Sequence, residues 1–478
     1  MAYRKGMPRE QMMLLPRAVE DYVSEENPVR VIEAFIEGVD LAKLGMVIPE
    51  EDERGAPAYD PRAMLKLYVY GYLNRIRSSR ELAKAVRRNL EVIWLMQQLS
   101  PEYWAISDFR RQNRHAFKAL FREFNLICGK LKLFGAELVA IDGCYFKGVN
   151  APRNNFTKNK LKRLLAEIDE KTEDYLKSLE AADLAAEKQG LEPAKARSAN
   201  LREKITKLKA ERERCAELLK EVEQSPTGQV SLTDPDTRSL KKTGERVVGY
   251  NTQIAVDAKH HLIVAEEVTQ EPSDWKLLEP MAAAAKDALG VEQLKAVADA
   301  GYYSHEQMRK CATQGIEATA PNRQQTAGAG LYPLEAFRHD AEKDCFICPQ
   351  GRELRRHQDW VEPGKNYRIY YDSAACADCP VRARCTRGEY RKLAVPADRE
   401  FLDAVQQRWR ENPELRKQRS QLVEHPFGTM KFWWGYRSFL CRGIEMVRAE
   451  FSLSSLAYNL RRVLNLFKIR PLIEALQA

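Results

Sequence analysis

Between residues 155 and 224 the chain has almost one choice of fold. The stretch holds 16 basic and 15 acidic residues and a single glycine, Gly190. Leu201, Ile205, Leu208, Arg212, Cys215, Leu219 and Val222 step by alternating fours and threes, a heptad seam with one charged position. Leu161, Leu164, Ile168, Tyr175 and Leu179 supply a similar face upstream, and Gly190 and Pro193 break the pattern between them. The spacing predicts two antiparallel helices, a hairpin over 155–225. Its balanced charge predicts a solvated structural or dimerising element rather than a catalytic one.

Strand character flanks the hairpin on both sides, so the hairpin is an insert in a globular unit. LVAID (138–142) reads as a short buried strand bounded by Gly135 and Gly143, with Asp142 at its C-terminal end. VVGYNTQIAVD (247–257) and HLIVAEEVT (261–269) read as a β-hairpin. A helix over 275–289, capped by Ser273 or Asp274, precedes a strand LKAVAD (294–299) that ends on Asp299. Ser304 caps a helix through 313, and IEATA (316–320) is a fifth strand. The order describes a mixed α/β layer. Residues 61–134 read as helical instead. Asp60 caps a first helix with Pro61 in its first turn, and Met64, Leu65, Tyr68, Val69 and Tyr72 recur at helical spacing. Ser79 starts a second helix with Leu82, Val86 and Leu90 on one face, and Ser107 and Asp108 cap a third, an array that resembles helix-turn-helix units.

The net charge of +9 hides segregation. Residues 1–60 carry 7 basic and 13 acidic residues, 61–134 carry 15 and 5, and 401–478 carry 13 and 7. Two basic blocks interleaved with aromatics point to a polyanion. Arg80, Lys84, Arg87, Arg88, Arg110, Arg111 and Arg114 are the candidate DNA contacts of the first block. No apolar run of the roughly 18 residues needed to span a membrane occurs. The N-terminus lacks an apolar signal region, which predicts a cytoplasmic protein.

Asp142 in AIDGCYFKG and Asp299 in VADAGYYS both precede small residues. If their strands are neighbours, the carboxylates converge and suit Mg²⁺ or Mn²⁺, hard cations that take oxygen ligands. Two such ions serve phosphodiester chemistry. Glu424 is the third candidate, preceded by Arg416 and Arg419 and followed by Lys431, Trp433 and Trp434. Basic groups there can hold phosphates, and aromatics can stack on a displaced base. Leu415 to Val423 reads as a helix that Pro426 ends or kinks. Asp234 and Asp236 in TDPDTRSL read as a turn, with a fourth acidic contact as the alternative. Five of the ten cysteines, Cys345, Cys348, Cys376, Cys379 and Cys385, form two C-x₂-C knuckles and a fifth thiol, a zinc pattern with one cysteine spare.

YDPRAMLKLYVYGYLNRIRSSRELA, AIDGCYFKGVN, TDPDTRSLKK, AVADAGYYS and VEHPFGTMKFWWGYRSFLCRG together resemble a bacterial insertion-sequence transposase of the Asp-Asp-Glu (DDE) class, IS4/IS5-related and nearest the IS1182 type. The resemblance implies an α/β fold with a ribonuclease-H-like mixed-sheet catalytic core, carrying helical-hairpin and zinc-binding inserts and preceded by an all-α N-terminal domain. It implies Asp142, Asp299 and Glu424 as catalytic ligands of two Mg²⁺ (or Mn²⁺) ions. It selects Cys348, Cys376, Cys379 and Cys385 for a structural Zn²⁺, leaving Cys345 as the extra. Arg419, Lys431, Trp433 and Trp434 would grip the DNA end. Lys431 follows Glu424 at the spacing of the related IS4 signature, whereas the Tyr and Arg positions of that signature do not match. The implied division is an acidic segment 1–60, a DNA-binding domain 61–134, core parts 135–154 and 226–325 around the hairpin, a zinc insert 326–396, and a C-terminal core part 397–478. The expected partners are double-stranded DNA, as terminal inverted repeats and target, and a second copy in a homodimer, without a membrane. A nuclease of the same core without strand transfer, and a non-catalytic zinc-containing DNA-binding protein, remain the alternatives.

Overall fold

The computed structural model describes residues 18–47, 58–188, 195–242, 245–322, 330–362 and 365–477. Gly190 and Pro193, the expected break in the hairpin, lie outside the described residues.

Six helices come first: α1 (Val29–Glu37), α2 (Pro61–Leu73), α3 (Ser79–Arg88), α4 (Leu90–Leu95), α5 (Tyr103–Gln112) and α6 (Ala116–Lys130). Asp60 accepts from the Arg62 amide at 2.8 Å, so α2 starts where the cap and Pro61 predict. Two expectations shift. Leu90 opens α4 and is half exposed rather than continuing the buried face of Leu82 and Val86. Ser107 and Asp108 stand inside α5, which begins four residues earlier at Tyr103, so neither caps it.

The main sheet is built from β1 (Leu138–Lys147), β4 (Arg238–Lys242), β5 (Glu245–Asp257), β6 (Ile263–Thr269), β7 (Leu294–Val297) and β8 (Ile316–Thr319). Its order is β4-β5-β1-β7-β8, and β6 also pairs with β5. β1, β7 and β8 run parallel, while β5 is antiparallel to β1, β4 and β6. Between β1 and β4 the chain leaves the sheet. A two-stranded neck, β2 (Asn155–Thr157) with β3 (Gln229–Ser231), closes the base of the hairpin formed by α7 (Lys158–Lys188) and α8 (Lys195–Gln224). The hairpin seam buries Leu161, Ile168, Cys215, Leu218 and Val222, and Arg212 reaches across to Asp169 at 2.6 Å.

Alternation assigns the two faces of the sheet. Val139, Ile141, Ala296 and Ala298 meet α9 (Leu278–Leu289), α10 (His305–Thr313) and α13 (Arg399–Glu411). Ala140, Ile254 and Val297 meet α2, α6, α14 (Pro413–Gly428) and α15 (Ile444–Leu466). The N-terminal helices therefore share one continuous core with the sheet and α15. A second, wholly antiparallel sheet, β9 (Arg338–Asp340), β10 (Cys345–Ile347), β11 (Glu353–Glu362), β12 (Lys365–Tyr371) and β13 (Leu393–Pro396), was not foreseen. Two short helices, α11 (Ser373–Ala377) and α12 (Arg382–Cys385), sit within it, and α16 (Ile469–Gln477) ends the chain against α1.

α15 is buried along most of its length and carries a polar belt. Glu450 accepts from the Leu440 and Cys441 amides and from Arg77 at 3.0 Å. Asn459 pairs with the Ile263 backbone through both donor and acceptor. Asp234 and Asp236 accept from the Gly443 and Ile444 amides at 3.1 and 2.8 Å. They form the turn that the sequence favours, and that turn also secures the start of α15.

Glu266 on β6 is buried and accepts from Ser452 at 2.7 Å. Burial pushes its carboxyl up to about 7, against a smaller pull from Lys118. The folded protein thus holds a proton there that the unfolded chain releases near pH 4.5. Stability should fall as pH rises from about 4.5 to 7. Glu266→Gln should flatten that slope in denaturant titrations; a slope equal to wild type would contradict the assignment.

Candidate active site

The centre of the site follows from strand register. β1 and β7 pair as Leu138↔Lys295, Val139↔Ala296 and Ala140↔Val297. Carried two residues further, the same offset sets Asp142 beside Asp299. Alternation turns Asp142 to the face of Ala140 and Asp299 to the face of Val297, the face on which α14 lies. Contrary to the expectation that Asp142 ends its strand, β1 runs on to Lys147 against β5. It stands where the parallel partner has ended, so its side chain occupies the opened edge.

Arg419, on α14, spans the pair. Its Nη2 lies 2.9 Å from Asp142 and 3.7 Å from Asp299. Asp142 also accepts from the Gly143 amide at 2.8 Å, and Asp299 from the Gly301 amide at 2.7 Å. Each carboxylate is thereby held by a backbone amide through one oxygen, with the other oxygen left toward the cation.

Behind them, on the other face, β5 contributes the buried polar residues Asn251 and Gln253. Both donate to Asp274 at 2.8 Å, and Tyr302 donates to Gln253. Burial pushes the Tyr302 hydroxyl well above its ordinary value, and the charges of Asp274, Asp142 and Asp299 add to it. Asp274 was expected only as a helix cap. α9 begins at Leu278 with Leu277 before it, and Asp274 serves the site's underside instead. The signal that could have found it is the buried Asn251-x-Gln253 pair on a strand.

Only two of the three expected carboxylates are drawn together. Glu424 is exposed on α14, five residues beyond Arg419. Among the described residues no three His, Cys, Asp or Glu side chains lie close enough to hold a metal ion as they stand. At the aspartates the physical reason is Arg419, whose guanidinium takes the position between them. Pro426 does not end α14, which continues to Gly428 and widens into a π-turn over Thr429–Trp433. Lys431 turns inward, donating to the Tyr145 carbonyl at 2.5 Å over the Phe146 ring.

The expected DNA contacts divide. Trp433 is 76% exposed, as is its unforeseen neighbour Phe432 at 72%. Trp434 is only 9% exposed and belongs to the core beside Tyr436, so it cannot stack on a base. Arg110 is likewise buried, lying over the Tyr68 ring at 5.7 Å, which removes it from a phosphate-facing surface. Arg80, Lys84, Arg87, Arg88 and Arg111 are exposed and Arg114 is half-buried. Arg87 is paired with Glu102 and Arg111 with Asp108.

In the second sheet, Cys348, Cys376, Cys379 and Cys385 line one cavity of about 20 Å³. Burial raises the Cys385 thiol, and its three companions add to the shift. Cys345 is buried on β10, away from this cavity.

Gly143 tests the underside network. A Cβ there would meet the Gln253 amide nitrogen at 2.2 Å and Asp274 at 2.9 Å. Gly143→Ala should dislodge Gln253 and cost about 1–3 kcal/mol, read from denaturant midpoints. A variant as stable as wild type would contradict this packing.

Residues 17–112 match the family described as Transposase domain (DUF772), and residues 347–464 match the Transposase DDE domain. No curated protein and no solved structure matches the chain. The first match takes in α1–α5 and the second takes in the cysteine cavity, Arg419 and Glu424. Both transposase domains stand in one polypeptide, a pairing typical of the IS1182 type, and together they support an insertion-sequence DDE transposase.

Proposed function

We propose that the protein cuts the ends of its own insertion sequence and joins them to target DNA at a site made of Asp142, Asp299 and Glu424. The observation that carries this is the register-matched Asp142–Asp299 pair with a cation already between them. A carboxylate pair that shares a guanidinium is complementary to positive charge, and its all-oxygen donors suit Mg²⁺ or Mn²⁺. Glu424 supports the same reading by position. α14 runs along β1 with Arg419 at Asp142 and Lys431 at Tyr145, and Glu424 lies between these two anchors. The mixed sheet, with Asp142 on the central strand and Asp299 on its parallel neighbour, supports a ribonuclease-H-like core.

Two bound divalent ions would supply a Lewis acid at the scissile phosphate and lower the proton affinity of the attacking oxygen. Asp142, Asp299 and Glu424 would hold them. Arg419 would exchange the carboxylates for a phosphate oxygen of the DNA, keeping its charge inside the site. In the first step water oxygen bonds to phosphorus and the 3′ oxygen leaves, taking up a proton. In the second, that 3′-hydroxyl attacks a target phosphodiester and displaces another 3′ oxygen. Phe432 and Trp433, exposed beside the site, would stack on the separated end. Arg80, Lys84, Arg87, Arg88, Arg111 and Arg114 would hold the terminal inverted repeats. The protein would act as a homodimer on paired ends, in the cytoplasm where the nucleoid lies.

Cys348, Cys376, Cys379 and Cys385 line one cavity but stand too far apart as placed to ligate an ion; drawn in around one, they would offer the four thiolates of a structural Zn²⁺. Cys385→Ser should lower the zinc content measured by atomic emission, whereas Cys345→Ser should leave it unchanged. Equal loss in both would contradict the assignment.

The activity itself is tested with an element-end duplex and Mg²⁺. Wild type should release a 3′-hydroxyl and join it to a second duplex. Asp299→Asn should lower the cleavage rate by more than the about 10–100-fold that losing an outer partner of a metal ligand costs. Cleavage surviving that change, or cleavage without joining, would overturn the proposed chemistry.

A further inference from the structure

The balanced charge of the helical insert predicts a solvated structural or dimerising element. Its root is different. Where α7 leaves the two-stranded neck, Lys160 and Arg163 face Lys241 of β4 and Arg246 of β5 across an open cleft of about 610 Å³. The rest of the described lining is neutral and polar, including Gln229 and Ser239, and no carboxylate is among the described residues that line the cleft. Such a surface repels other proteins' cations and gathers anions.

Three features set it apart from an ordinary solvated charge patch. Lys241 and Arg246 are directly opposite each other on antiparallel strands, an arrangement that is destabilising for like charges. Neither has a carboxylate partner among the described residues, whereas Arg163 has Glu167 at 3.4 Å. Lys160 is fixed in place, its ammonium donating to the carbonyls of Pro152, Arg153 and Asn155 at 2.8–3.0 Å. The cleft thus combines one immobile cation with two that repel each other and have no carboxylate partner among the described residues.

Its location supplies the ligand. Asp142 is directly opposite Ile254, and Lys241 directly opposite Arg246. Ile254 and Arg246 are an even number of residues apart on β5, so the cations and the catalytic carboxylate share one face of the sheet. Eight residues at roughly 3.3 Å each separate them by about 26 Å. The strand between them is buried under α14, α15 and Phe439, so a duplex would join the two places over the protein surface, and at about 3.4 Å per base pair the cleft falls at least about eight base pairs from the reacting bond.

We propose that the cleft at the root of the hairpin binds the phosphodiester backbone of the duplex whose end occupies the Asp142–Asp299 site. This rests on the transposase reading above. The insert then acts as a second grip on the same DNA, one that reads charge and not sequence.

The test uses the full chain with Lys241→Gln and Arg246→Gln combined, titrated with a labelled element-end duplex at several salt concentrations. The variant should bind at least about tenfold more weakly near physiological salt, and its salt slope should fall by about 1.8, two phosphates at about 0.9 each. Its melting temperature should equal or exceed that of wild type, because the like-charge pair is gone. Inorganic phosphate should compete no better than chloride of the same ionic strength. Unchanged affinity and slope, a binding loss that tracks a lower melting temperature, or strong competition by free phosphate would each overturn the cleft as a backbone site. Wild type that binds no duplex even at low salt would overturn the transposase reading as well, which separates the two failures.

Discussion

The parallel ladder between β1 and β7 is the constraint on which the site depends. It joins residues that are more than 150 positions apart in the chain, and its register decides which side chains meet at the sheet edge. A one-residue slip would turn one of the two aspartates to the opposite face. The surrounding apolar contacts hold the register: Ala140 and Val297 belong to one core, Val139, Ile141 and Ala296 to the other. The long excursion of the hairpin leaves this ladder untouched because the neck strands return the chain close to where it left.

The other half of the site is brought by helices. α15 is seated on the sheet by a buried polar belt, and α14 is carried into position ahead of it. Arg77, between α2 and α3, reaches Glu450 on α15 and the Ser438 carbonyl and lies 4.0 Å over the Tyr436 ring. The N-terminal helices therefore brace the loop that follows the exposed aromatics. Glu450 is fully buried, so loss of Arg77 would remove its cationic partner and leave it to the Leu440 and Cys441 amides and the Cys441 thiol. Under the proposed function, DNA bound at the N-terminal helices would be joined to the Asp142–Asp299 site through one core, a physical route by which recognition of the element end would affect the site.

Much of this was legible in the residues. The hairpin, the β5–β6 pair, the caps at Asp60 and Ser304 and the edge positions of Asp142 and Asp299 all follow from local pattern, where period and capping chemistry decide. What escaped was tertiary. Trp434 and Arg110 look like surface ligands by type, and their burial depends on neighbours distant in sequence. The second sheet escaped because strands such as β11 are largely exposed and rich in arginine, so they lack the apolar alternation that marks a strand. Asp274 escaped because its partners lie on β5, over twenty residues upstream, and only the fold brings them together. The tie between Arg419 and the aspartates could not be read from spacing, although Arg419 itself stood out as a basic residue near Glu424.

The central claim is that Asp142, Asp299 and Glu424 form one metal site which Arg419 occupies until ions arrive. Anomalous scattering from crystals grown with Mn²⁺ tests it most directly. The account predicts manganese bridging Asp142 and Asp299, with Glu424 turned in as a further ligand and the Arg419 guanidinium displaced from both aspartates. Manganese bound elsewhere, with Arg419 still spanning Asp142 and Asp299 at saturating metal, would contradict it.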